Sequence, residues 1–171
     1  MSRTAHRIRE ETADDHSTIR EVNRLAFGRD DEGRLVDALR DGGFAKISRV
    51  AEVDGQIVGH ILFSDLPIIR PEGTVPALSL APMAVIPSHQ RRGIGSALVR
   101  DGLRACQDAG HEIVIVLGHP EFYPRFGFSP KLAERLKAPF SGEAFLALEL
   151  VPGALEGVEG EVRYPPPFGE L

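Results

Sequence analysis

The chain has 171 residues, of which 42% are hydrophobic and 26% are charged, and its formal net charge is -5. This is ordinary globular composition, and it excludes a disordered chain, a collagen-like chain and a coiled coil. The acidic balance argues against non-specific binding to nucleic acid, which needs a broad basic face. At roughly 150 residues per domain, the length predicts a single domain, with a core over about residues 5–151 and an extended tail over residues 152–171.

The sequence shows no pattern typical of a disulfide, a metal site, a secretory signal or a membrane span. Cys106 is the single cysteine, so no internal disulfide can form, and no Cys/His cluster has the spacing of a zinc site. The first ten residues are charged and lack the apolar core of a secretory signal. The longest uncharged stretch, residues 73–88, contains three prolines and is too short to span a bilayer comfortably. We therefore expect a cytoplasmic protein that holds no metal and binds neither membrane nor nucleic acid.

The pattern of the first part of the chain predicts a strand, two helices and a hairpin. Thr12 followed by Asp15 is a capping pattern that marks a helix start. Asp54 and Gly55 form a strong two-residue hairpin signal between two strand-like runs. The predicted elements cover residues 6–9, 14–27, 31–40, 46–53 and 56–65. A loop is expected over residues 67–76.

The second part contains an interrupted strand over residues 77–86. Pro82 lies inside this apolar run, and because proline cannot donate to a ladder it is tolerated only at an edge or a bulge. Further elements are predicted over residues 95–109, 113–117, 120–126 and 144–151, in the order helix, buried strand, short helix and strand. The tail, with its proline run, is expected to be extended and to pack on the surface. Together the elements predict a mixed α/β fold.

The segment Gln90-Arg-Arg-Gly-Ile-Gly95 joins a predicted strand to a predicted helix. Unbonded N–H groups at a helix N-terminus attract anions, and glycines let the backbone approach a phosphate closely. Two arginines add positive charge here, against the acidic trend of the chain. The turn therefore predicts a site for a diphosphate or a similar anion, with a plain turn and solvated arginines as the alternative. It fits neither a Walker turn nor a dinucleotide fingerprint.

The same segment resembles the acetyl-CoA signature of the GNAT, or Gcn5-related, N-acetyltransferases. His119-Pro-Glu-Phe-Tyr-Pro-Arg-Phe-Gly-Phe128 resembles the segment after the fifth strand in that family, most similarly in the small bacterial YhbS-like group. The order of elements agrees from about residue 5 to residue 151. The resemblance implies a central mixed sheet whose fourth and fifth strands splay apart, flanked by helices. It also implies direct transfer of an acetyl group from the cosubstrate acetyl-CoA to a primary amine within a ternary complex.

The resemblance further implies which residues hold the cosubstrate and which assist the chemistry. Tyr123 stands where the family places a general acid for the leaving thiolate, although it could instead pack a short helix. A backbone amide near Ala84 would stabilise the oxyanion. The implied cosubstrate-binding residues are Met83, Ala84 and Val85 for the pantetheine arm, and Gln90, Arg91, Arg92, Gly93, Ile94, Gly95 and Ser96 for the diphosphate.

No residue is clearly marked as the general base that takes a proton from the amine, whose free pKa is about 10. Many relatives place a glutamate on the fourth strand, but residues 77–85 contain no acid. His119 and Glu32 are candidates, and bulk water is an alternative. His60 lies among apolar neighbours and is expected to be a satisfied core histidine, while Cys106 reads as a core residue.

The sequence leaves the acceptor amine open, either a small molecule or a peptide. Because the predicted fourth strand contains no acidic residue, a second hypothesis stays open, namely a non-catalytic acyl-CoA sensor on the same fold. A third and weaker hypothesis is a phosphate-binding α/β domain for another nucleotide. An exposed last strand could also pair two subunits into a homodimer.

Overall fold

The computed structural model describes residues 6–139 and 144–169. Residues 5 and 140–143 of the expected core and residues 170–171 of the expected tail lie outside this part. The strands are β1 (Arg7–Glu10), β2 (Ala45–Val53), β3 (Gln56–Asp65), β4 (Ile68–Ile69), β5 (Leu78–Val85), β6 (Ile113–Leu117), β7 (Leu136–Lys137), β8 (Phe145–Glu149) and β9 (Gly160–Val162). The α-helices are α1 (His16–Phe27), α2 (Asp31–Asp41), α3 (Ile94–Asp108) and α4 (Pro166–Gly169). The short helix expected at residues 120–126 is a 3-10 helix over Tyr123–Phe126.

The main sheet is mixed, with the strand order β1-β2-β3-β5-β6-β8. Its neighbours are antiparallel except β5 and β6, which run parallel. These two strands pair only at Leu78 with Val114 and at Ser79 with Ile115. The rest of β5, up to Val85, has no partner on that side, so the strands part and leave a wedge. The expected splay of two neighbouring strands is confirmed.

Pro82 lies at an irregularity in β5, as its position in the sequence predicts. The β3–β5 register passes from the pair Ile61–Met83 to the pair Phe63–Leu80, so extra residues on β5 stand opposite a single residue of β3. Pro82, which has no N–H to donate, falls within those residues. The bulge therefore lies between the part of β5 that pairs with β6, at Leu78 and Ser79, and the part up to Val85 that does not.

Helices cover the two faces of the sheet. On one face, α3 packs through Leu98, Val99 and Cys106, all fully buried. Gly102 lets α3 lie close to the sheet, since a Cβ there would be 2.5 Å from Phe63 Cε1. The other face carries α1 and α2 through the apolar side chains of Ile19, Leu35, Val36 and Leu39, against Val50 and Leu62 of the sheet. The predicted apolar face of α2 and the core position of Cys106 are confirmed.

The expectation that the tail packs on the surface is wrong. β9 forms a second sheet with β4 and β7, in the order β4-β9-β7. Leu155, Val158 and Val162 are buried there with Ile68 and Phe145. β4 lies in the segment expected to be a loop. Strands of two or three residues show no periodicity in the sequence, so this small sheet leaves no pattern to detect.

None of the helices within residues 6–139 and 144–169 combines the length and the apolar character needed to cross a bilayer. In the same residues, no group of three or more His, Cys, Asp or Glu side chains could hold a metal ion.

Candidate active site

A cleft of about 530 Å³ opens where β5 and β6 part. Four elements build its wall, namely the end of α1, the end of β5, the turn before α3 and the segment after β6. They contribute Ala26, Phe27, Met83, Ala84, Val85, His89, Gln90, Arg91, Gly93, Gly95, Ser96, Phe122 and Arg125. The cleft therefore contains most of the residues that the sequence assigns to cosubstrate binding, although Arg92 and Ile94 are not part of its lining.

The turn before α3 presents a run of unused backbone donors. Gly93 caps the helix in the left-handed region, with φ at 83°, and the first intrahelical bond is that of Ala97 N–H to Gly93 O at 3.0 Å. Within the described residues, no backbone N–H from Arg91 to Ser96 donates to a protein acceptor. Arg91 is also left-handed, with φ at 64°. Clustered free amides at a helix N-terminus suit an anion such as a diphosphate.

Side chains hold this turn in place and add charge. Gln90 Nε2 donates to the carbonyl of Val85 at 2.9 Å, which fastens the turn to the end of β5. The Ile94 side chain is buried in the core, so only its backbone is available to a ligand. Arg91 and Arg92 are exposed and have no carboxylate partner in the described part of the chain.

The open edge of β5 also carries backbone groups that have no partner on β6, although the carbonyl of Val85 is taken by Gln90. Ile86 N–H donates to Val58 O at 2.9 Å, which sets the alternation of the ladder with β3. Ala84, two residues back, therefore turns its backbone groups toward β3. Those of Met83 and Val85 turn to the side where β6 has departed. An extended ligand can pair with this edge as an added strand.

Tyr123 is buried in the main core and is not part of the cleft lining, although its neighbour Phe122 is. Its ring covers Gly118 and makes edge contacts with Phe122 and Phe128 at centroid distances of 5.0 and 5.7 Å. Burial raises the pKa of Tyr123 to about 12. Within the described residues its hydroxyl has no hydrogen-bond partner, and it is not among the fully buried unpaired atoms, so it keeps an opening to solvent or ligand.

The two candidate bases lie outside the cleft lining. His119 is exposed, and its carbonyl accepts bonds from the N–H groups of Phe122 and Tyr123 at 3.1 and 3.3 Å. Glu32 pairs with Arg29, whose Nη2 is 2.6 Å from Glu32 Oε2. The hydrogen bond from Arg29 holds the pKa of Glu32 below its ordinary value, which weakens it as a base.

His60 is fully buried, as expected of a core histidine, and both ring nitrogens have side-chain partners. Desolvation lowers its pKa to about 4, so the ring is neutral. Five residues that line the cleft were not among the predicted site residues, namely Ala26, Phe27, His89, Phe122 and Arg125. The last two lie within the segment that resembles the family, which was the one available signal.

The family model described as "Acetyltransferase (GNAT) domain" matches residues 7–130. The chain belongs to the GNAT acetyltransferase family. Enzymes of this family use acetyl-CoA as cosubstrate. The chain is similar to the uncharacterized N-acetyltransferase YjhQ of Escherichia coli, with 42% identity over 119 residues. That alignment covers 68% of this chain and 65% of YjhQ.

The uncharacterized N-acetyltransferase YhbS of Escherichia coli is 34% identical over 160 residues, which cover 92% of this chain and 95% of YhbS. Its crystal structure in complex with CoA superposes with a TM-score of 0.90 at 32% identity, covering 99% of this chain and 94% of that one. A GNAT acetyltransferase from Brucella melitensis in complex with acetyl-CoA has a TM-score of 0.81 at 34% identity, covering 96% and 99% of the two chains. The GNAT fold expected from the sequence is confirmed.

Proposed function

We propose that this GNAT protein is an N-acetyltransferase that moves an acetyl group from acetyl-CoA to a primary amine by direct attack in a ternary complex. The acceptor would be a small molecule or a peptide. The observation that carries the proposal is the run of free amides from Arg91 to Ser96 beside the open edge of β5. A diphosphate and an extended amide-containing arm, joined in one molecule, match this pair of features.

The residues present fit acetyl-CoA. The free amides of the turn, with Arg91 and Arg92, would hold the diphosphate, and the backbone of Met83 and Val85 would pair with the pantetheine arm. Gln90 supports the turn through its bond to the carbonyl of Val85. Acetyl-CoA supplies an activated thioester. An amide on the open edge, from Met83 or Val85 on either side of Ala84, would donate to the acyl oxygen.

Tyr123 would assist departure of the sulfur. With a pKa raised to about 12, its hydroxyl stays protonated at neutral pH and can donate a hydrogen bond. Since a thiol has a pKa of about 8.5, the hydroxyl is better suited to stabilise a thiolate by that bond than to give up its proton fully. This refines the general-acid role that the resemblance assigns to it.

The amine proton would leave through solvent. Of the described residues that line the cleft, none is a carboxylate. His119 and Glu32 remain candidates for the general base. His119 is exposed and Glu32 is held in an ion pair with Arg29, so neither residue is better placed than solvent to take the proton.

The test is release of free CoA thiol from acetyl-CoA across a panel of primary amines, with the wild type and Tyr123→Phe compared. The proposal expects amine-dependent release by the wild type. It also expects a lower maximal rate for the variant, at unchanged affinity for CoA. Equal maximal rates at every pH would remove Tyr123 from the mechanism.

The absence of a carboxylate from the cleft lining favours a second candidate, a non-catalytic acyl-CoA sensor. Calorimetry that shows tight CoA binding, together with no thiol release over the whole amine panel, would select this candidate over the enzyme.

A further inference from the structure

The cleft passes through the main sheet, because the residues that line it belong to both faces of the sheet. Across the β3–β5 ladder, Met83 pairs with Ile61 and Ala84 pairs with His60. Ile61 lies in the core under α3. Since successive side chains of a strand point to opposite faces, Met83 points to the face that carries α3 and Ala84 to the face that carries α1 and α2. The cleft therefore has two sides, which we call the α3 side and the α1 side.

The α3 side is basic. Arg91 and Arg125 line the cleft, and Arg125 lies over the ring of Phe122 at 5.4 Å from the ring centroid. Arg100 of α3 lies over the ring of Phe126 at 5.0 Å. Both phenylalanines pack against the core under α3. Within the described residues, none of these three arginines is paired with a carboxylate. The α3 side therefore suits the phosphates of the cosubstrate.

The α1 side is apolar. Ala26 and Phe27 at the end of α1 line the cleft there, together with Ala84 of β5. The two alanines leave room beside the open edge of β5. Phe27 keeps 39% of its surface exposed, although it is large and apolar. The α1 side therefore offers an aromatic surface with open space next to it.

Leu117, the last residue of β6, extends this apolar character to the other strand of the wedge. Ile115 pairs with Ser79 of β5, and Ser79 pairs with Ser64 of β3. Ser64 follows Phe63, which lies in the core under α3, so these paired residues point to the opposite face, that of α1. Leu117, two residues after Ile115, points the same way; it is 45% exposed and lies outside the cleft lining. Exposed apolar surface thus borders the open end of the wedge from both strands, which is typical of a binding surface.

Charge on the α1 side does not suit a polycation. Of the described residues that line the cleft, none is an acid. In the loop after Phe27, Arg29 Nη2 lies 2.6 Å from Glu32 Oε2, and Arg29 Nε lies 3.8 Å from Asp31 Oδ2. A polyamine would need several carboxylates to replace the water around its charges. An amine with a single charge and an apolar body fits this surface better.

We propose that the acceptor is a primary amine with one positive charge and an aryl or alkyl body, and that this body rests against Phe27 on the α1 side. The inference rests on the proposed function, since it names the class of its acceptor. The amine nitrogen would pass Ala84 into the wedge, while the diphosphate stays on the α3 side. Phe27 would determine specificity, because its contact with the body removes apolar surface from water.

The first test compares 2-phenylethylamine, ethylamine and spermidine as acceptors, with kcat/KM expressed per unprotonated primary amine. One methylene in an apolar site already changes kcat/KM by about tenfold. We therefore expect 2-phenylethylamine to exceed ethylamine by at least about tenfold, and spermidine to be no better than ethylamine. Equal values for 2-phenylethylamine and ethylamine, or a higher value for spermidine than for 2-phenylethylamine, would overturn the proposal.

The second test removes the aromatic ring. In Phe27→Ala we expect the preference for 2-phenylethylamine over ethylamine to fall several-fold, while the calorimetric affinity for CoA stays within about twofold. Phe27→Leu should keep most of the preference. Leu25→Ala is the matched control, because Leu25 lies on the same helix and is 42% exposed but does not line the cleft. Equal changes in Phe27→Ala and Leu25→Ala, or an unchanged preference in Phe27→Ala, would remove Phe27 from acceptor selection.

The third test reverses the chemistry of the surface. Phe27→Glu puts a carboxylate where the apolar body is expected to rest. We expect a higher kcat/KM for spermidine and a lower one for 2-phenylethylamine than in the wild type. If either change fails to occur, the acceptor does not contact position 27.

A crystal structure with CoA and 2-phenylethylamine decides the matter independently of turnover. The proposal expects the ring centroid of the amine about 4.5–7 Å from that of Phe27. A ring bound elsewhere, or no amine bound at a saturating concentration, overturns it. If the ring lies on Phe27 but no amine is ever acetylated, the proposed function fails while the amine surface stands. If amines are acetylated without preference for an apolar body, the proposed function stands and this inference fails.

Discussion

The ring of Tyr123 lies directly on Gly118, at the point where the chain leaves β6. A Cβ at position 118 would come 2.4 Å from Tyr123 Cε2, closer than any real contact of that kind. The absence of a side chain at Gly118 therefore sets where the Tyr123 ring lies, and with it the position of the hydroxyl.

Gly118→Ala should displace the Tyr123 ring and lower both stability and the rate of acetyl transfer. Overpacking of this kind costs about 1–3 kcal/mol. Thermal unfolding and thiol release by the purified variant measure the two effects. In a Tyr123→Leu background the smaller side chain relieves the contact, so Gly118→Ala should there cost much less stability. The same cost in both backgrounds would show that the ring is not what excludes a side chain at position 118.

Tyr123→Phe should lower kcat by about 10²-fold or more, the size of the effect when one hydrogen-bond donor to charge developing in the transition state is lost. Its stability should change little, since the hydroxyl has no partner in the described residues. Because burial raises the pKa of Tyr123 to about 12, the wild-type hydroxyl keeps its proton throughout the usual assay range. The rate should therefore rise as the amine loses its proton and show no alkaline fall below about pH 11. A fall between pH 8 and pH 10 that Tyr123→Phe abolishes would contradict this.

Gly93→Ala should weaken CoA binding, because Gly93 caps α3 with φ at 83°. A left-handed conformation costs a non-glycine residue about 1–2 kcal/mol, and any relaxation would rotate the free amides of the turn. Gly157→Ala is the matched control, since Gly157 has φ at 73°, also has open space around it, and lies outside the cleft lining. Both variants should lose similar stability in thermal unfolding, but only Gly93→Ala should lose affinity in calorimetry. Equal affinities would mean that the turn does not hold the diphosphate.

His60 predicts how stability depends on pH. Its pKa is lowered in the folded protein to about 4, from an ordinary value of 6.5, so protonation favours unfolding. The stabilisation that comes from keeping the ring neutral is fully present above pH 6.5 and is lost as the pH falls toward 4. The free energy of unfolding then falls by roughly 3 kcal/mol at most. Denaturant unfolding at pH 7 and at pH 5 should show a clear loss for the wild type and a smaller one for His60→Gln. An equal loss of stability in the wild type and in His60→Gln would mean that the protonation of His60 does not contribute to the change between pH 7 and pH 5.

The sequence predicted those parts of the fold and site whose signals are local. Pro82 in an apolar run indicated the bulge, and the Gln90–Gly95 turn indicated a helix N-terminus beside a strand end. Asn23 and His60 are 37 residues apart and meet only after α1 packs on β3, so no local pattern pairs them. The burial of Val162 depends on strands of two or three residues, which are too short to show alternation.

The most direct test of the account is a crystal structure of the protein with acetyl-CoA. The account predicts diphosphate oxygens within hydrogen-bond distance of the backbone amides between Arg91 and Ser96. It also predicts the pantetheine arm along Met83 and Val85, and the Tyr123 hydroxyl in reach of the sulfur. A diphosphate bound away from this turn, or a Tyr123 hydroxyl turned away from the sulfur, would contradict it.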